Sequence, residues 1–197
     1  MSDIRLVIAW ISAGLYFAAT VPYILKAYKN VIHPQTASWA IWTFVALILV
    51  TSSRQSNAFW LYLVQLICCA LVFGFSLKNG LGGFSKTDKL CIFLCIIALA
   101  FKVVVGSGIV AIILASFVEC TAFYLSFTKL LKHPGGEYQL QWLLSTVTGL
   151  LAFMSLKSFS VSFSLYPIII TMGNAAVTAL IYTQNSNVPI TLDNGSV

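Results

Sequence analysis

Seven long apolar segments, joined by short polar turns, constrain what this chain can fold into more than any other feature. The segments cover approximately residues 5–28, 36–53, 57–77, 89–105, 107–131, 139–156 and 160–182. A helix needs about 20 apolar residues to cross the hydrocarbon core of a bilayer, and fewer where other helices surround it. The pattern therefore predicts an all-α membrane protein with seven transmembrane helices.

The charge content indicates that lipid is the solvent for most of the chain. Of the 197 residues, 59% are hydrophobic and only 8% are charged, whereas soluble domains have about 25% charged residues. So few charges would not cover the surface of a soluble domain. The net charge of +6 is interpreted as positive charge in cytoplasmic loops. A nucleic-acid-binding patch is not expected, because no run of Lys and Arg alternates with aromatic residues.

The first apolar segment is interpreted as a transmembrane helix and not as a cleaved signal peptide. Asp3 stands beside Arg5 before the apolar run, and the run continues past Pro22. The five cysteines all lie in apolar segments, where packing explains them, and Cys91 and Cys95 have no histidine near them in sequence. Neither a disulfide framework, nor a metal site, nor a cofactor is predicted.

Basic residues are unequally distributed between the two ends of the predicted helices. The turns after segments 1, 3 and 5 carry seven of them, namely Lys26, Lys29, Lys78, Lys86, Lys89, Lys129 and Lys132. The opposite side carries four, namely Arg5, Arg54, Lys102 and Lys157. Because positive loops tend to face the cytoplasm, we predict an external N-terminus and a cytoplasmic C-terminus. The polar residues 183–197 are predicted to be a disordered tail, and a bacterial inner (plasma) membrane is the expected location.

A weaker copy of the first three segments follows 100 residues later in the chain. Seven identical pairs stand at this offset: Phe17/Phe117, Leu25/Leu125, Lys29/Lys129, His33/His133, Pro34/Pro134, Trp42/Trp142 and Phe59/Phe159. Three helices are an odd number, so a directly fused second copy would be inverted in the membrane, and the fourth segment restores its orientation. We therefore predict a 3+1+3 arrangement of two parallel three-helix repeats. The first repeat is 1–78, the loop and linker helix are 79–106, and the second repeat is 107–182.

Short motifs within the segments give the chain a family resemblance. The motifs are Pro22-Tyr23-Ile24 before a basic turn, His33-Pro34, Ser38-Trp39-Ala40-Ile41-Trp42, and Tyr166-Pro167 in the last segment. In these features the chain resembles the PQ-loop repeat superfamily, which includes the SWEET sugar facilitators and the cystinosin-like carriers. It is particularly similar to small bacterial seven-helix members. The resemblance implies two three-helix units that give a small polar solute alternating access to a site between them.

The two repeats differ at the position of the motif that names this family. By its place before the basic turn, the Pro-Gln motif corresponds to Pro22-Tyr23 in the first repeat and to Ala122-Phe123 in the second. Neither position has the glutamine, and the second also lacks the proline. Tyr23, which takes the place of the glutamine, is a candidate substrate-binding residue.

Two prolines are candidate hinges. Pro22 has no backbone N–H to donate, and its ring crowds the preceding helical turn. It is therefore expected either to act as a hinge between outward-open and inward-open states or to form a static bend. Pro34, at the start of the second segment, is the second candidate, with an ordinary first-turn helix proline as the alternative.

Glu119 is the only carboxylate inside a predicted span. An ionisable group within the bilayer costs several kcal/mol unless it faces water or a partner, so Glu119 should face the interior of the bundle. At helical spacing Ser116 lies on the same side and joins the candidate substrate-binding residues. The functional hypothesis is a site for a proton or a cationic substrate, and the alternative is a hydrogen-bonded structural glutamate.

Three further side chains within the spans are candidate substrate-binding residues. Asn174 can both donate and accept hydrogen bonds, and the resemblance implies an asparagine of the last helix in the solute pocket. Packing between helices is the alternative for Asn174. Gln65 is a polar candidate in the third segment. Trp42 would stack against a solute, although tryptophans also form belts at membrane interfaces.

The residues favour transport over the other functions considered. No catalytic arrangement is visible, so an enzyme is not expected. We predict a facilitator or a proton-coupled carrier for a small polar solute such as a sugar, an amino acid or a vitamin precursor. Its partners are this solute and the bilayer, with no nucleic acid, while proton coupling and a homo-oligomer stay open. The alternative is a membrane receptor or sorting protein of the same fold that binds a small ligand or a peptide. The two arginines, Arg5 and Arg54, both lie near predicted membrane edges, which disfavours recognition of a peptide carboxylate.

Overall fold

The described part of the chain forms seven α-helices. The computed structural model describes residues 2–54, 56–82, 85–105, 108–135, 137–157, 159 and 161–186. The helices are α1 (Ser2–Tyr28), α2 (Thr36–Ser52), α3 (Phe59–Asn79), α4 (Lys86–Val105), α5 (Gly108–Lys132), α6 (Gln139–Met154) and α7 (Val161–Ser186). Each predicted segment is helical, and every predicted end lies within four residues of the observed one.

Hydrogen bonds of individual side chains account for two helix ends that differ from the prediction. α4 begins at Lys86 rather than at residue 89, because Ser85 and Asp88 cap it reciprocally. The Ser85 N–H donates to Asp88 Oδ2 (3.0 Å), and the Asp88 N–H donates to Ser85 Oγ (3.1 Å). α7 continues to Ser186, into the predicted tail, where Gln184 Nε2 donates to the backbone carbonyl of Leu130 (2.9 Å). The rest of the predicted tail, 187–197, lies outside the described residues.

The helices fall into long and short ones. Four are long and apolar enough to cross a membrane, over Ile4–Tyr28, Phe59–Asn79, Ile109–Lys132 and Ser164–Ser186. These stretches belong to α1, α3, α5 and α7. α2 and α6 are also apolar but have only 17 and 16 residues, and most side chains of α2 are buried. The structure is therefore that of an all-helical integral membrane protein.

The helix contacts follow one scheme in the two halves of the chain. α3 packs against both α1 and α2, and α7 packs against both α5 and α6. Between the halves, α1 packs against α6, where Ser12 Oγ donates to the Thr148 carbonyl (2.9 Å). α2 packs against α5, where Ser38 Oγ donates to the Ala122 carbonyl (2.9 Å). α4 packs against α2 and α5.

Contacts between loops define the two ends of the bundle. At the basic end, as we name the end where α1, α3 and α5 finish, His33 Nδ1 lies 2.9 Å from the Asn79 carbonyl oxygen. The last turns of α1 also contact the α5–α6 loop there. At the opposite end, Arg5 Nη1 donates to the Lys157 carbonyl (2.9 Å). The turns that carry the seven lysines therefore meet at the same end.

Pro34 precedes α2 and is not part of its first turn. The cap of α2 is Gln35 and its first residue is Thr36, so the expectation of a first-turn proline is wrong. The Thr36 N–H donates to the Leu81 carbonyl (3.1 Å), and the Leu81 N–H donates to the Pro34 carbonyl (2.9 Å). This short bridge between Gln35 and Leu81 ties the start of α2 to the α3–α4 loop.

Candidate solute-binding site

A cavity lies among six of the helices, all except α4. Its described lining residues are Tyr16, Trp39, Trp42, Gln65, Glu119, Phe123, Gln141, Trp142, Ile170 and Asn174. Four of the six predicted substrate-binding residues are among them, namely Trp42, Gln65, Glu119 and Asn174. Both halves of the chain contribute to the walls. We refer to this space as the central cavity.

The central cavity is narrow in this conformation. The volume open to the centre of a water molecule is about 20 Å³, and a cavity needs roughly 10–15 Å³ by this measure to hold one water. A sugar or an amino acid would not fit without movement of the helices. In this arrangement the site is too narrow for such a solute.

Three lining side chains each have a buried oxygen atom without a hydrogen-bond partner among the described residues. The atoms are Gln65 Oε1, Glu119 Oε2 and Gln141 Oε1. The amide nitrogens of the glutamines are held by the surrounding protein, because Gln65 Nε2 donates to Tyr166 Oη (2.8 Å) and Gln141 Nε2 donates to Ser145 Oγ (3.1 Å). The cavity therefore presents hydrogen-bond acceptors that the protein itself leaves unsatisfied.

Trp42 is the centre of an aromatic cluster in the cavity wall. Its ring centroid lies 4.9 Å from that of Trp39, 5.7 Å from that of Phe123 and 5.6 Å from that of Trp142. Trp42 lines the central cavity together with Glu119. Because Trp42 is only 5% exposed, it belongs to the interior and not to an interfacial belt.

Asn174 lies in the cavity wall but is partly committed to its own helix. Its Nδ2 donates to the Ile170 carbonyl (2.6 Å), which leaves less of the amide for a solute. The preceding residue, Gly173, lets α7 approach α5 closely, because a Cβ atom there would lie 2.3 Å from Cε2 of Phe123. The contact between α5 and α7 thus places Asn174 and Phe123 beside the same cavity.

Two predicted substrate-binding residues lie outside the lining of the central cavity. Ser116 is fully buried, and its hydroxyl donates to the Ile112 carbonyl of its own helix (2.8 Å). Tyr23 is also fully buried, and its hydroxyl donates to Glu137 Oε2 (2.8 Å). The candidate hinge Pro22 is inside α1, directly before Tyr23.

A buried ion pair adjoins the cavity at the basic end. Lys129 Nζ bonds to Glu137 Oε1, and each side chain is only 2% exposed. Glu137 Oε2 also accepts hydrogen bonds from Tyr23 Oη (2.8 Å) and Trp142 Nε1 (3.2 Å). These four residues, which we call the Glu137 cluster, join α1, α5 and α6. Because Trp142 also lines the central cavity, the cluster is in contact with the cavity wall.

The sequence did not single out Glu137 or Gln141 as site residues. Glu137 lies in a loop before α6, where an acidic residue is ordinarily solvated. One feature of the sequence could have identified it, because Glu137 is the only carboxylate between the end of α5 and the start of α6. Gln141 stands in the first turn of α6, near the expected membrane boundary, where a polar side chain is common.

A second and larger cavity lies at the basic end, outside the central bundle. Its volume by the same measure is about 280 Å³, and its walls come from Gln35, the α3–α4 loop, the start of α4 and the end of α5. It shares no described lining residue with the central cavity. Its lining carries both signs of charge, with Asp88 on one side and Lys132 on the other. The central cavity alone gathers the predicted site residues.

Within the described ranges, no group of three or more His, Cys, Asp or Glu side chains is arranged to hold a metal ion. Comparison with known protein families, with curated proteins and with solved structures finds no match for the chain. The geometry of the central cavity and of its surroundings therefore carries the functional proposal.

Proposed function

We propose that the chain is an alternating-access transporter for a small polar solute, either a facilitator or a proton-coupled carrier, of the PQ-loop and SWEET-like kind. The observation that carries this proposal is the central cavity, which lies among helices of both repeats and is lined by amide, carboxyl and aromatic groups. Transporters built from repeats bind their solutes near the bilayer midplane, at the repeat interface. Separation of the helices at one end and then at the other would expose the cavity to each side in turn.

The helix contacts support a 3+1+3 arrangement of seven spans. In each repeat the third helix contacts the first and the second. The two contacts between repeats, α1 with α6 and α2 with α5, are exchanged when the repeats are exchanged. A two-fold axis along the membrane normal would produce this scheme. α4 then takes the role of the linker helix.

The Glu137 cluster supports closure of the cavity at the basic end. It joins α1 of the first repeat to α5 and α6 of the second, so a solute would reach the basic end only after these bonds break. Pro22 is the proposed hinge, because its missing N–H leaves the Ala18 carbonyl without the usual intrahelical donor beside the cluster. Pro34 is less suited to this role, since its carbonyl is held by the Leu81 N–H (2.9 Å).

The positions of the lysines support an orientation. Seven lysines belong to helix ends and turns at the basic end, and positive loops favour the cytoplasm. We therefore assign the basic end to the cytoplasmic side of a bacterial inner membrane, with the N-terminus outside. In this orientation the Glu137 cluster forms the cytoplasmic closure.

A receptor that binds a peptide has less support. No Lys, Arg or His is among the described residues that line the central cavity, whereas a peptide carboxylate would need a cationic partner or several N–H donors. The lining offers unsatisfied acceptors instead. These features favour a small solute that brings its own donors.

Flux into proteoliposomes tests the transport proposal. The purified full chain should carry at least one solute from a panel of sugars, amino acids and vitamin precursors in a saturable manner. Trp42→Phe replaces the central ring of the aromatic cluster with a smaller one and should lower that flux roughly fivefold or more. Trp60→Phe is the matched control, because Trp60 is 37% exposed and stacks on Trp10 away from the cavity. Its flux should stay within about twofold of the original chain.

Two results would contradict the proposal. Absence of saturable flux for every solute class would argue against transport. Equal losses in Trp42→Phe and Trp60→Phe would argue against the central cavity as the route.

A further inference from the structure

The unpartnered atoms of the central cavity are all hydrogen-bond acceptors. Gln65, Glu119 and Gln141 each contribute one buried oxygen without a donor, and no fully buried nitrogen of the described lining is left in this state. A buried polar atom without a partner is unfavourable, because it has lost its hydrogen bonds to water and gained none in the protein. A solute that brings N–H donors to these oxygens recovers this cost, whereas a solute that offers acceptors does not.

The charge and the aromatic surfaces of the cavity favour a cation. Glu119 is the only carboxyl group among the described lining residues, and no basic side chain is present to oppose it. Trp39, Trp42 and Trp142 line the same cavity, and the face of an indole ring attracts a cation within about 6 Å of its centroid. An anionic solute would meet the Glu119 carboxyl without any compensating charge.

The size of the cavity selects the part of the solute that binds there. A volume of about 20 Å³ open to a water centre accommodates a group about as large as one water molecule. An ammonium group has this size and carries three N–H donors, one for each unsatisfied oxygen. A sugar would bring several hydroxyl groups, each of which both donates and accepts hydrogen bonds. It would also need far more space.

From these observations we propose that the central cavity binds a small primary amine. The ammonium group would bind at Gln65, Glu119 and Gln141, and the remainder of the solute would extend into space opened by helix movement. The identity of this ligand as a transported solute rests on the function proposed above, whereas its binding does not.

Binding to the purified full chain in detergent tests the proposal. Propylammonium should change the intrinsic tryptophan fluorescence saturably and raise the unfolding temperature as its concentration rises. 1-Propanol, which has the same carbon chain without the charge, should do neither at equal concentration. Tetramethylammonium, which has the charge but no N–H donor, should bind at least about tenfold more weakly.

Two substitutions that each remove one carboxylate locate the binding site. Glu119→Gln keeps the size of the side chain but removes its negative charge, and it should weaken propylammonium binding at least about tenfold. Asp88→Asn is the matched control, because Asp88 caps α4 outside the central cavity and asparagine also caps helices. It should change the affinity less than about twofold. If Glu119→Gln does not fold, Gln65→Met tests the same site.

Several outcomes would overturn the amine site. One is that 1-propanol binds as tightly as propylammonium, and another is that Glu119→Gln and Asp88→Asn weaken propylammonium binding equally. A third is unchanged amine binding in Glu119→Gln, with loss only of the response to a pH gradient. The last result would make Glu119 a proton site.

Counterflow in proteoliposomes separates this proposal from transport itself. Amine binding without counterflow would contradict transport alone, and saturable sugar counterflow that propylammonium does not inhibit would contradict the amine site alone.

Discussion

Lys29 and Lys129 are one of the identical pairs at the 100-residue offset but have opposite surroundings. Lys29 is exposed, whereas Lys129 is only 4% exposed and pairs with Glu137. The residue 100 positions before Glu137 is Ala37, so no acid stands at the matching position. A buried charge without its partner is strongly unfavourable. The charge balance of the Glu137 cluster therefore depends on one residue of a loop.

Lys129→Met should destabilise the protein much more than Lys29→Met. The first substitution leaves the Glu137 carboxylate buried without its cation and should lower the free energy of unfolding by about 3–5 kcal/mol. The second removes an exposed charge and should cost less than about 1 kcal/mol. Thermal unfolding of each purified variant in detergent measures the difference.

A double substitution checks the cause of that loss. Lys129→Met combined with Glu137→Gln removes both charges, so it should be clearly more stable than Lys129→Met alone. If the second substitution brings no recovery, or if Lys29→Met is as harmful as Lys129→Met, the ion pair is not the reason for the destabilisation.

At the scale of residues, the sequence revealed side chains that are unusual for their segment. Glu119, Gln65 and Asn174 stand in apolar helices, where a polar group needs a partner or a cavity, and they do line the same cavity. Their role in solute binding stays a prediction. The bond between Tyr23 and Glu137 could not be predicted, because it spans 114 residues and joins two positions that are each ordinary in their local sequence.

At the scale of helices, the packing of the end of α3 depends on a single glycine. Gly80 caps α3 where this helix meets the start of α2. A Cβ atom at Gly80 would lie 2.3 Å from Thr36 Oγ1 and 2.5 Å from the Ser76 carbonyl oxygen. The Thr36 hydroxyl itself donates to that carbonyl (3.0 Å). A side chain at Gly80 would therefore push the two helices apart.

Gly80→Ala should destabilise the protein, whereas Gly74→Ala should not. Gly80→Ala should lower the free energy of unfolding by about 1–3 kcal/mol, because the tight packing against Thr36 must give way. Gly74 is exposed inside α3 with nothing within 4 Å of an added Cβ, and alanine there should be neutral or stabilise by up to about 1 kcal/mol. Unfolding midpoints of the two variants measure both effects. A loss at Gly74 as large as that at Gly80 would contradict the contact as the cause.

The helices themselves were predicted well from the apolar segments, because membrane-spanning helices and their polar turns differ sharply in composition. The ends were less predictable where a local bond decides them. Ser85 and Asp88 extend α4 into a basic turn, and Gln184 holds α7 to Leu130 beyond the last apolar residue. Such bonds involve polar residues that are equally common in loops.

For the whole molecule, α4 makes the two halves unequal. It covers the side of the bundle formed by α2 and α5. On α6, apolar side chains such as Leu143 and Leu150 are 47% and 50% exposed, and lipid is expected to cover them. The repeat indicated by the 100-residue offset stays a prediction. No sequence signal predicted that α1 would meet α6, since their bond joins residues 136 positions apart.

Labelling of single cysteines should show the two ends of the bundle on opposite sides of the membrane. Lys29 and Lys157 are both exposed and lie at opposite ends. In intact cells, a maleimide that does not cross membranes should label Lys157→Cys at once and Lys29→Cys only after permeabilisation. Cys120→Ser removes the one native cysteine of the described residues that is exposed and provides the background. Labelling of both positions from the same side would contradict the seven-span arrangement.

The shortness of α2 and α6 has an electrical consequence. Helices of 17 and 16 residues extend only about 26 and 24 Å, less than the roughly 30 Å of the hydrocarbon core. Water that fills the space at the ends of these helices would confine the membrane voltage to a thinner layer of protein. A charge that moves a short distance would then cross most of the voltage. Each elementary charge moved through 100 mV involves about 2.3 kcal/mol. A charged solute should therefore produce currents that depend steeply on voltage, and a neutral solute that crosses without a coupled proton should produce none.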